Sequence, residues 1–222
     1  MIELRNVCKT FVLKGRHQTV ADDISAIFPD NQAVAILGRN GAGKSSLLKM
    51  LAGTMEPDSG EIISTGHVSW PVGFAGSFHP ELSGLQNTRF IARVYGVDTD
   101  ELADFVEEFA ELGQHFRLPI RTYSSGMRSR LAFGVSMGIK FDTYLVDEVT
   151  AVGDVNFKEK SEALFAERVK SSSAIMVTHA LGQVQRLCTK VAILHEAKLQ
   201  FFDDVDEGIR MHQTLMKQAQ TT

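Results

Sequence analysis

Gly38-Arg39-Asn40-Gly41-Ala42-Gly43-Lys44-Ser45 stands between an apolar run, Ala33-Val34-Ala35-Ile36-Leu37, and a helix-forming run, Ser45-Ser46-Leu47-Leu48-Lys49-Met50-Leu51. The order reads strand, glycine-rich loop, helix, which is the context in which the pattern GxxxxGK[ST] binds phosphate. Residues without a Cβ let the backbone wrap closely round phosphate oxygens. The successive N–H groups of such a loop form an anion nest at the start of the following helix. Lys44 then supplies a point charge for the β- and γ-phosphates, and the Ser45 hydroxyl is placed to ligate Mg²⁺. The candidate nucleotide-binding residues are Gly38, Arg39, Asn40, Gly41, Ala42, Gly43, Lys44, Ser45 and Ser46.

Upstream of this loop, Ile2 to Val7 and Thr19 to Phe28 read as strands of a small antiparallel sheet, with a polar break over Leu13–Gln18. Downstream, Pro57-Asp58-Ser59-Gly60 is a turn before the strand-like Glu61–Ser64. From about Ser83 to Ile139 the pattern changes to helix. Asp98-Thr99-Asp100-Glu101 is a helix-start signal, and Leu102, Phe105, Val106, Phe109 and Leu112 fall on one face that packs into a core. After Ile139, strands at Thr143–Val146, Ala174–Thr178 and Val191–Leu194 alternate with helical runs. That alternation predicts a mostly parallel sheet with crossover helices. From Asp203 to about Ala219 a capped amphipathic helix packs with Val205, Ile209, His212, Leu215 and Met216. One nucleotide-binding core, about 1–82 and 140–222, with a helical insertion at about 83–139, is expected.

The totals constrain this further. The 222 residues are 44% hydrophobic and 23% charged, with a net charge of −4. No bulk basicity is present to recruit nucleic acid or an anionic membrane. No apolar stretch reaches the ~18–20 residues of a membrane span, and the N-terminus has no signal-peptide core. A place in the cytoplasm, held to any membrane by a partner, is the expectation. Cys8 and Cys188 have no metal spacing and are expected to be free structural thiols.

Two further stretches complete the chemistry. Thr143-Tyr144-Leu145-Val146-Asp147-Glu148 is an apolar strand ending in two acids. Asp147 at the carboxyl end is placed to orient Mg²⁺, and Glu148 to polarise a water for in-line attack on a γ-phosphate. Tyr123-Ser124-Ser125-Gly126-Met127-Arg128 leads into the helical stretch Ser129–Ile139. A Ser-Ser-Gly at a helix start is an ordinary N-cap, and it also offers hydroxyls and N–H groups to an anion.

Placed just before the acidic strand, that motif resembles the signature of ABC-transporter ATPases, and the resemblance covers nearly the whole chain. The usual signature is Leu-Ser-Gly-Gly-Gln; this chain retains Ser124 and Gly126 and departs elsewhere. The resemblance implies the P-loop NTPase (RecA-like) α/β fold, with an N-terminal antiparallel β subdomain and a helical insertion subdomain. It also implies a head-to-tail dimer in which Ser124, Ser125, Gly126 and Met127 of one subunit close over ATP held on the phosphate loop of the other. It places His179, after Ile175-Met176-Val177-Thr178, as a switch histidine at the γ-phosphate, and Asp154 in a dimer-interface loop. Phe11 matches the aromatic on which adenine stacks, a core aromatic being the equal alternative. Glu148, His179 and Lys44 form the implied catalytic set, with ATP and Mg²⁺ as cofactors.

The wording of the motifs resembles one group within the family. Thr122–Gly134, Tyr144–Asp154 and Arg89–Val97 are similar to the ATPases of bacterial polysaccharide exporters, above all those of capsular polysaccharide in Gram-negative bacteria. O-antigen and teichoic-acid exporter ATPases share the Ser-Ser-Gly-Met signature, but many carry extra carboxy-terminal domains, and 43 residues follow His179 here. The implied partners are a second copy, a multi-span permease subunit, and periplasmic and outer-membrane capsule-export components, at the cytoplasmic face of the inner membrane. A soluble ABC ATPase acting on nucleic acid or ribosomes is the rival. Only 80 residues separate Lys44 from Ser124, and no basic–aromatic interleaving is present. The family's loop glutamine has no counterpart in Trp70–Leu82; His79 or Ser77 stands nearest the position, and the glycines and aromatics of that loop, Phe78 among them, suggest a partner-docking surface.

Overall fold

The computed structural model describes residues 1–74, 76, 78–147 and 155–218. They form nine strands, β1 (Ile2–Leu13), β2 (Arg16–Phe28), β3 (Ala33–Leu37), β4 (Ser59–Ser64), β5 (Val68–Pro71), β6 (Thr143–Asp147), β7 (Ser173–Val177), β8 (Lys190–His195) and β9 (Lys198–Phe202). The seven α-helices among the described residues are α1 (Lys44–Leu51), α2 (Gly84–Tyr95), α3 (Thr99–Ala110), α4 (Ser125–Gly138), α5 (Val155–Val169), α6 (Leu181–Leu187) and α7 (Val205–Gln218). The chain divides into two compact units: Met1–Pro71 with Asp142–Glu148 and Val169–Thr222, and Val72–Phe141 with Val149–Arg168.

The first unit holds both sheets. Its larger sheet has the order β5-β6-β7-β3-β8-β9, parallel throughout except for β9, which pairs antiparallel with β8. Every residue of β3 and β7 is buried, because a parallel sheet covered on both faces needs near-continuous apolar strands. Val34 and Ile36 of β3 pack with Leu47 and Leu48 of α1, Leu145, Ile175 and Ala192 in one core that also takes Ile2, Leu4 and Val7 of β1. The smaller sheet, β2-β1-β4, is antiparallel. The polar break expected over Leu13–Gln18 contracts to Lys14-Gly15, both at positive φ (49° and 78°). A two-residue turn of that kind matches the twist of the flanking strands, so β1 and β2 run on through the polar residues as a long hairpin.

Two strands go beyond what the local sequence patterns predict. β5 is an edge strand ending at Pro71, as proline without its N–H requires. β9 follows a turn whose residues, Glu196 and Ala197, take positive φ (47° and 60°) although neither is a usual left-handed residue. Both cysteines are free. Cys188 lies 3.7 Å from the Met176 sulfur, and burial pushes its thiol up to about 12.

The second unit is helical. Asp98 caps α3 by accepting from the Asp100 and Glu101 amides at 2.9 Å each, and the Glu101 and Asp100 amides hold its carboxyl below the usual range. The cap is therefore present at neutral pH and lost as pH falls through that lowered value. Leu102, Val106, Phe109 and Leu112 are buried as the periodicity predicts. Phe109 is the hub, with Phe105 stacked at 5.8 Å and Phe157 of α5 edge-on at 5.3 Å. Lys160 of α5 bonds Glu111 (2.6 Å) and the Phe109 carbonyl (3.2 Å) at the end of α3. Ser83 and Gln86 form a reciprocal capping box at the start of α2.

Candidate functional site

The phosphate loop is positioned by what surrounds it. β3 ends at Leu37, and the chain turns at Gly41 and Gly43 (φ 81° and 102°) before α1 begins. Glycine is required at two points for different reasons. A Cβ on Gly38 would lie 2.5 Å from the Leu194 carbonyl oxygen of β8, and one on Gly43 would lie 2.5 Å from Val20 Cβ of β2. Gln18, opposite Phe11 on the β1–β2 hairpin, donates to the Gly41 carbonyl at 3.0 Å. The long hairpin is what brings Gln18 to the loop, and no local pattern in the sequence signals that contact. Arg39, Asn40 and Gly41 face solvent, and Ala42 and Ser46 are half-buried at its rim.

Lys44 is buried at 7% exposure, and its ammonium donates to the carbonyls of Gly38 (2.9 Å) and Arg39 (3.0 Å). No side chain among the described residues caps α1 at Gly43, so the orphan N–H groups of its first turn are available to an anion. One residue further on, the Ser45 hydroxyl donates to Asp147 Oδ1 at 3.3 Å. A hydroxyl and a carboxylate thus meet beside the lysine. Among the described residues no cluster of three or more His, Cys, Asp or Glu could hold a metal by itself. The donor set fits Mg²⁺, which keeps several waters and takes one or two protein oxygens plus phosphate, and does not need an all-protein cage.

Sheet topology brings the remaining groups of this unit to the same edge. β6, β7 and β3 are adjacent and parallel, with Asp147 opposite Val177 and Ile36 also opposite Val177. Asp147 therefore ends one strand, the phosphate loop follows the next but one, and His179 stands two residues beyond β7 between them. Ligands of open α/β sheets bind at such carboxyl ends. Thr178 is buried and accepts from the Ala180 amide at 3.1 Å, while His179 is exposed. Phe11 is half-buried on β1, with the Lys9 ammonium 5.7 Å from its ring centroid. It is outside the buried core, at the register position opposite Gln18.

The signature residues lie in the helical unit. Ser124 is the N-cap of α4, its hydroxyl accepting from the Met127 amide at 3.2 Å. Ser124 and Ser125 are exposed, and a Cβ on Gly126 would meet only Ser124 Oγ at 3.9 Å. Tyr123 anchors the turn: it is buried and donates to the His115 carbonyl at 2.6 Å. In the preceding loop, Asn87 of α2 accepts from the His79 amide (2.8 Å) and donates to the His79, Leu82 and Ser83 carbonyls. The His79 ring accepts at Nδ1 from the Glu81 amide at 3.3 Å. Ser77, Glu148 and Asp154 lie outside the described residues.

Comparison with known proteins accords with this architecture. Residues 21–151 match the family model described as ABC transporter. The chain is 48% identical to the polysialic acid transport ATP-binding protein KpsT of Escherichia coli, covering 97% of this chain and 99% of that protein. It is 40% identical to the capsule polysaccharide export ATP-binding protein CtrD of Neisseria meningitidis, over 97% of this chain and 100% of that one. The O-antigen export system ATP-binding protein RfbB of Klebsiella pneumoniae is 35% identical, over 92% and 85%. Among solved structures, a dimeric ATP-binding cassette in a post-hydrolysis state with ADP and Pi superposes with a TM-score of 0.77 at 20% identity, over 91% of this chain and 98% of that one. The chain belongs to the ABC transporter family, as an ATP-hydrolysing subunit with the P-loop NTPase fold.

Proposed function

We propose that this chain hydrolyses ATP to drive capsular polysaccharide across the inner membrane. The observation that carries the substrate is the 40–48% identity, over nearly the full length, to ATP-binding proteins of polysialic acid and capsule export. The O-antigen relative is less similar and longer than the matched region. Among the described residues no helix is long and apolar enough to cross a membrane. The relatives' roles in export systems support assigning the coupling to a permease subunit and the chain to the cytoplasmic face.

The roles follow from the chemistry of each group. The loop amides and Lys44 bind the β- and γ-phosphates and offset the charge that grows on the transferred phosphoryl group. Ser45 and Asp147 hold Mg²⁺, which supplies further charge neutralisation when bound. Glu148 orients the attacking water and His179 contacts the γ-phosphate. Ser124, Ser125, Gly126 and Met127 of a second copy complete the site on closure, with Asp154 at the dimer interface. Binding closes the dimer and hydrolysis reopens it, so the chemistry gates a mechanical cycle. Phe11 and the exposed hairpin offer the adenine a platform. His79, held beside α2 by Asn87, and Ser77 are the two candidates for the place of the missing loop glutamine.

Lys44→Ala in the chromosomal copy is the test. Surface capsule should disappear and polymer accumulate inside the cell, with ATPase activity of the purified chain falling at least about a hundredfold. Intact capsule with loss of another surface glycan would transfer the assignment to an O-antigen or teichoic-acid system. Glu148→Gln should bind ATP and dimerise yet turn over at least about a hundredfold more slowly; wild-type rates would remove Glu148 from the mechanism.

A further inference from the structure

Strand β2 meets the phosphate loop at two points, two residues apart on each. Val20 occupies the space beside Gly43, where a Cβ would lie 2.5 Å from Val20 Cβ. Gln18 donates from Nε2 to the Gly41 carbonyl at 3.0 Å. The first contact is apolar and buried, and it sets how close the loop can come to the strand. The second is polar and directional, and it is made by an exposed side chain of the hairpin. Gly41 stands at φ 81°, and without a Cβ its sterics leave the direction of the following peptide loosely set. Hydrogen bonds at the two ends of that peptide therefore set it.

Those bonds form a continuous series that ends on the lysine. The Gly41 carbonyl accepts from Gln18, and the amide at the other end of the same peptide, on Ala42, donates to the Arg39 carbonyl at 3.1 Å. That Arg39 carbonyl also accepts from the Lys44 ammonium at 3.0 Å. Three bonds thus connect a side chain on the β1–β2 hairpin to the charged group assigned to the β- and γ-phosphates. Bonds in series polarise one another, so the outermost donor supports the whole set. Phe11 is the register partner of Gln18. Paired residues of an antiparallel ladder project from the same face, so the hairpin is tied to the loop at the level of Phe11.

We infer that Gln18 is a positioning residue of the phosphate site: it holds the Gly41–Ala42 peptide, and through the Arg39 carbonyl the seat of Lys44, in the arrangement that receives a triphosphate. Gln18 acts before the ligand arrives. Without its donor the Gly41 carbonyl turns to water and the loop samples other directions, so a smaller fraction of molecules is competent and the apparent affinity falls by that fraction. Once phosphates are bound, their own bonds to the loop amides and Lys44 restore the geometry. The loss therefore falls on binding and leaves the chemical step in place. This rests on the phosphate-site reading above.

The experiment compares the full chain with its Gln18→Met variant, which keeps the length of the side chain and loses the donor. Calorimetry measures affinity for the non-hydrolysable ATP analogue AMPPNP with Mg²⁺, and for tripolyphosphate with Mg²⁺, which has neither base nor ribose. Steady-state ATPase gives KM and kcat. The variant should bind both ligands about three- to tenfold more weakly, the worth of one neutral hydrogen bond. KM for ATP should rise by the same factor and kcat stay within about twofold. The melting temperature without ligand should stay within about 2 °C, because the side chain is exposed. Unchanged affinities, whatever the melting temperature does, overturn the inference and leave the site standing. Weaker AMPPNP binding with tripolyphosphate unaffected also overturns it, by moving Gln18 to the nucleoside, as does a fall in kcat at unchanged KM. A wild type that binds neither ligand overturns the phosphate-site reading and this inference together.

Discussion

Two helices of this chain begin at glycine-containing turns, and they begin in opposite ways. α1 starts at Gly43 with no side-chain cap among the described residues, in a loop pinned on both sides, by Val20 of β2 and by the Leu194 carbonyl of β8. Its lysine is already wrapped on two carbonyls. α4 starts at Ser124 with its hydroxyl on its own Met127 amide, and around Gly126 there is open space. The first is a rigid cradle in which the close backbone approaches are dictated by tertiary neighbours. The second is a solvent-facing edge with hydroxyls and amides at hand. The difference supports a division of labour in which one copy's cradle fixes the nucleotide and the signature edge of another copy completes it.

Gly43→Val probes the cradle and should have the largest effect. It places a β-branched residue at φ 102° and against Val20, which should destabilise the unit by about 2–5 kcal/mol and remove nucleotide binding. A near-native melting temperature with retained ATP affinity would show that the loop is not held as described. Gly126→Ala probes the edge. Its Cβ meets nothing closer than 3.9 Å, so folding and ATP binding by the monomer should be unchanged. Loss of hydrolysis by about tenfold or more would then report contact with the second copy, since one donor-lined wall of an anion site commonly carries effects of that size. Full activity would place the signature turn away from the nucleotide.

The smallest change in the isolated protein belongs to α2. Phe90 and Val94 are 55% and 62% exposed one turn apart, and Phe74 of the same unit is 55% exposed. Such a surface suits the cytoplasmic helix of a permease. Phe90→Ser should alter stability by no more than about 0.5 kcal/mol and leave ATPase intact, while surface capsule falls. Undiminished capsule would count against docking there. Phe78, the aromatic that sequence alone suggests for this role, is half-buried in the loop that leads to α2, so Phe78→Ala is the companion variant.

Much of the candidate site was legible because its requirements are local. A loop that must expose consecutive amides needs glycines at set positions, and Gly38–Ser45 displays them after an all-apolar strand. Asp147 was legible as an acid ending a buried run, and Ser124 as a helix cap. The apolar stripe of α3 was visible because a 3.6-residue period survives in any packed helix, and the alternation of strands and helices after Ile139 predicted the parallel sheet. β5 and β9 were not visible. β5 is short, one-sided and closed by proline, and β9 depends on a Glu196-Ala197 turn that no turn propensity signals.

By itself, then, the sequence determined the phosphate loop, the acid that ends β6, the caps at Asp98 and Ser124 and the class of fold, because each is dictated by neighbours within a few residues in the chain. Only the tertiary structure decided that the Ser45 hydroxyl meets Asp147 across 102 residues at 3.3 Å, that Gln18 grips the loop at Gly41, and that Gly208 of α7 packs against Val191 of β8. Those juxtapositions arise from strand order and register. Which strand end lies beside which is set by the packing of the whole sheet, and no local pattern carries it.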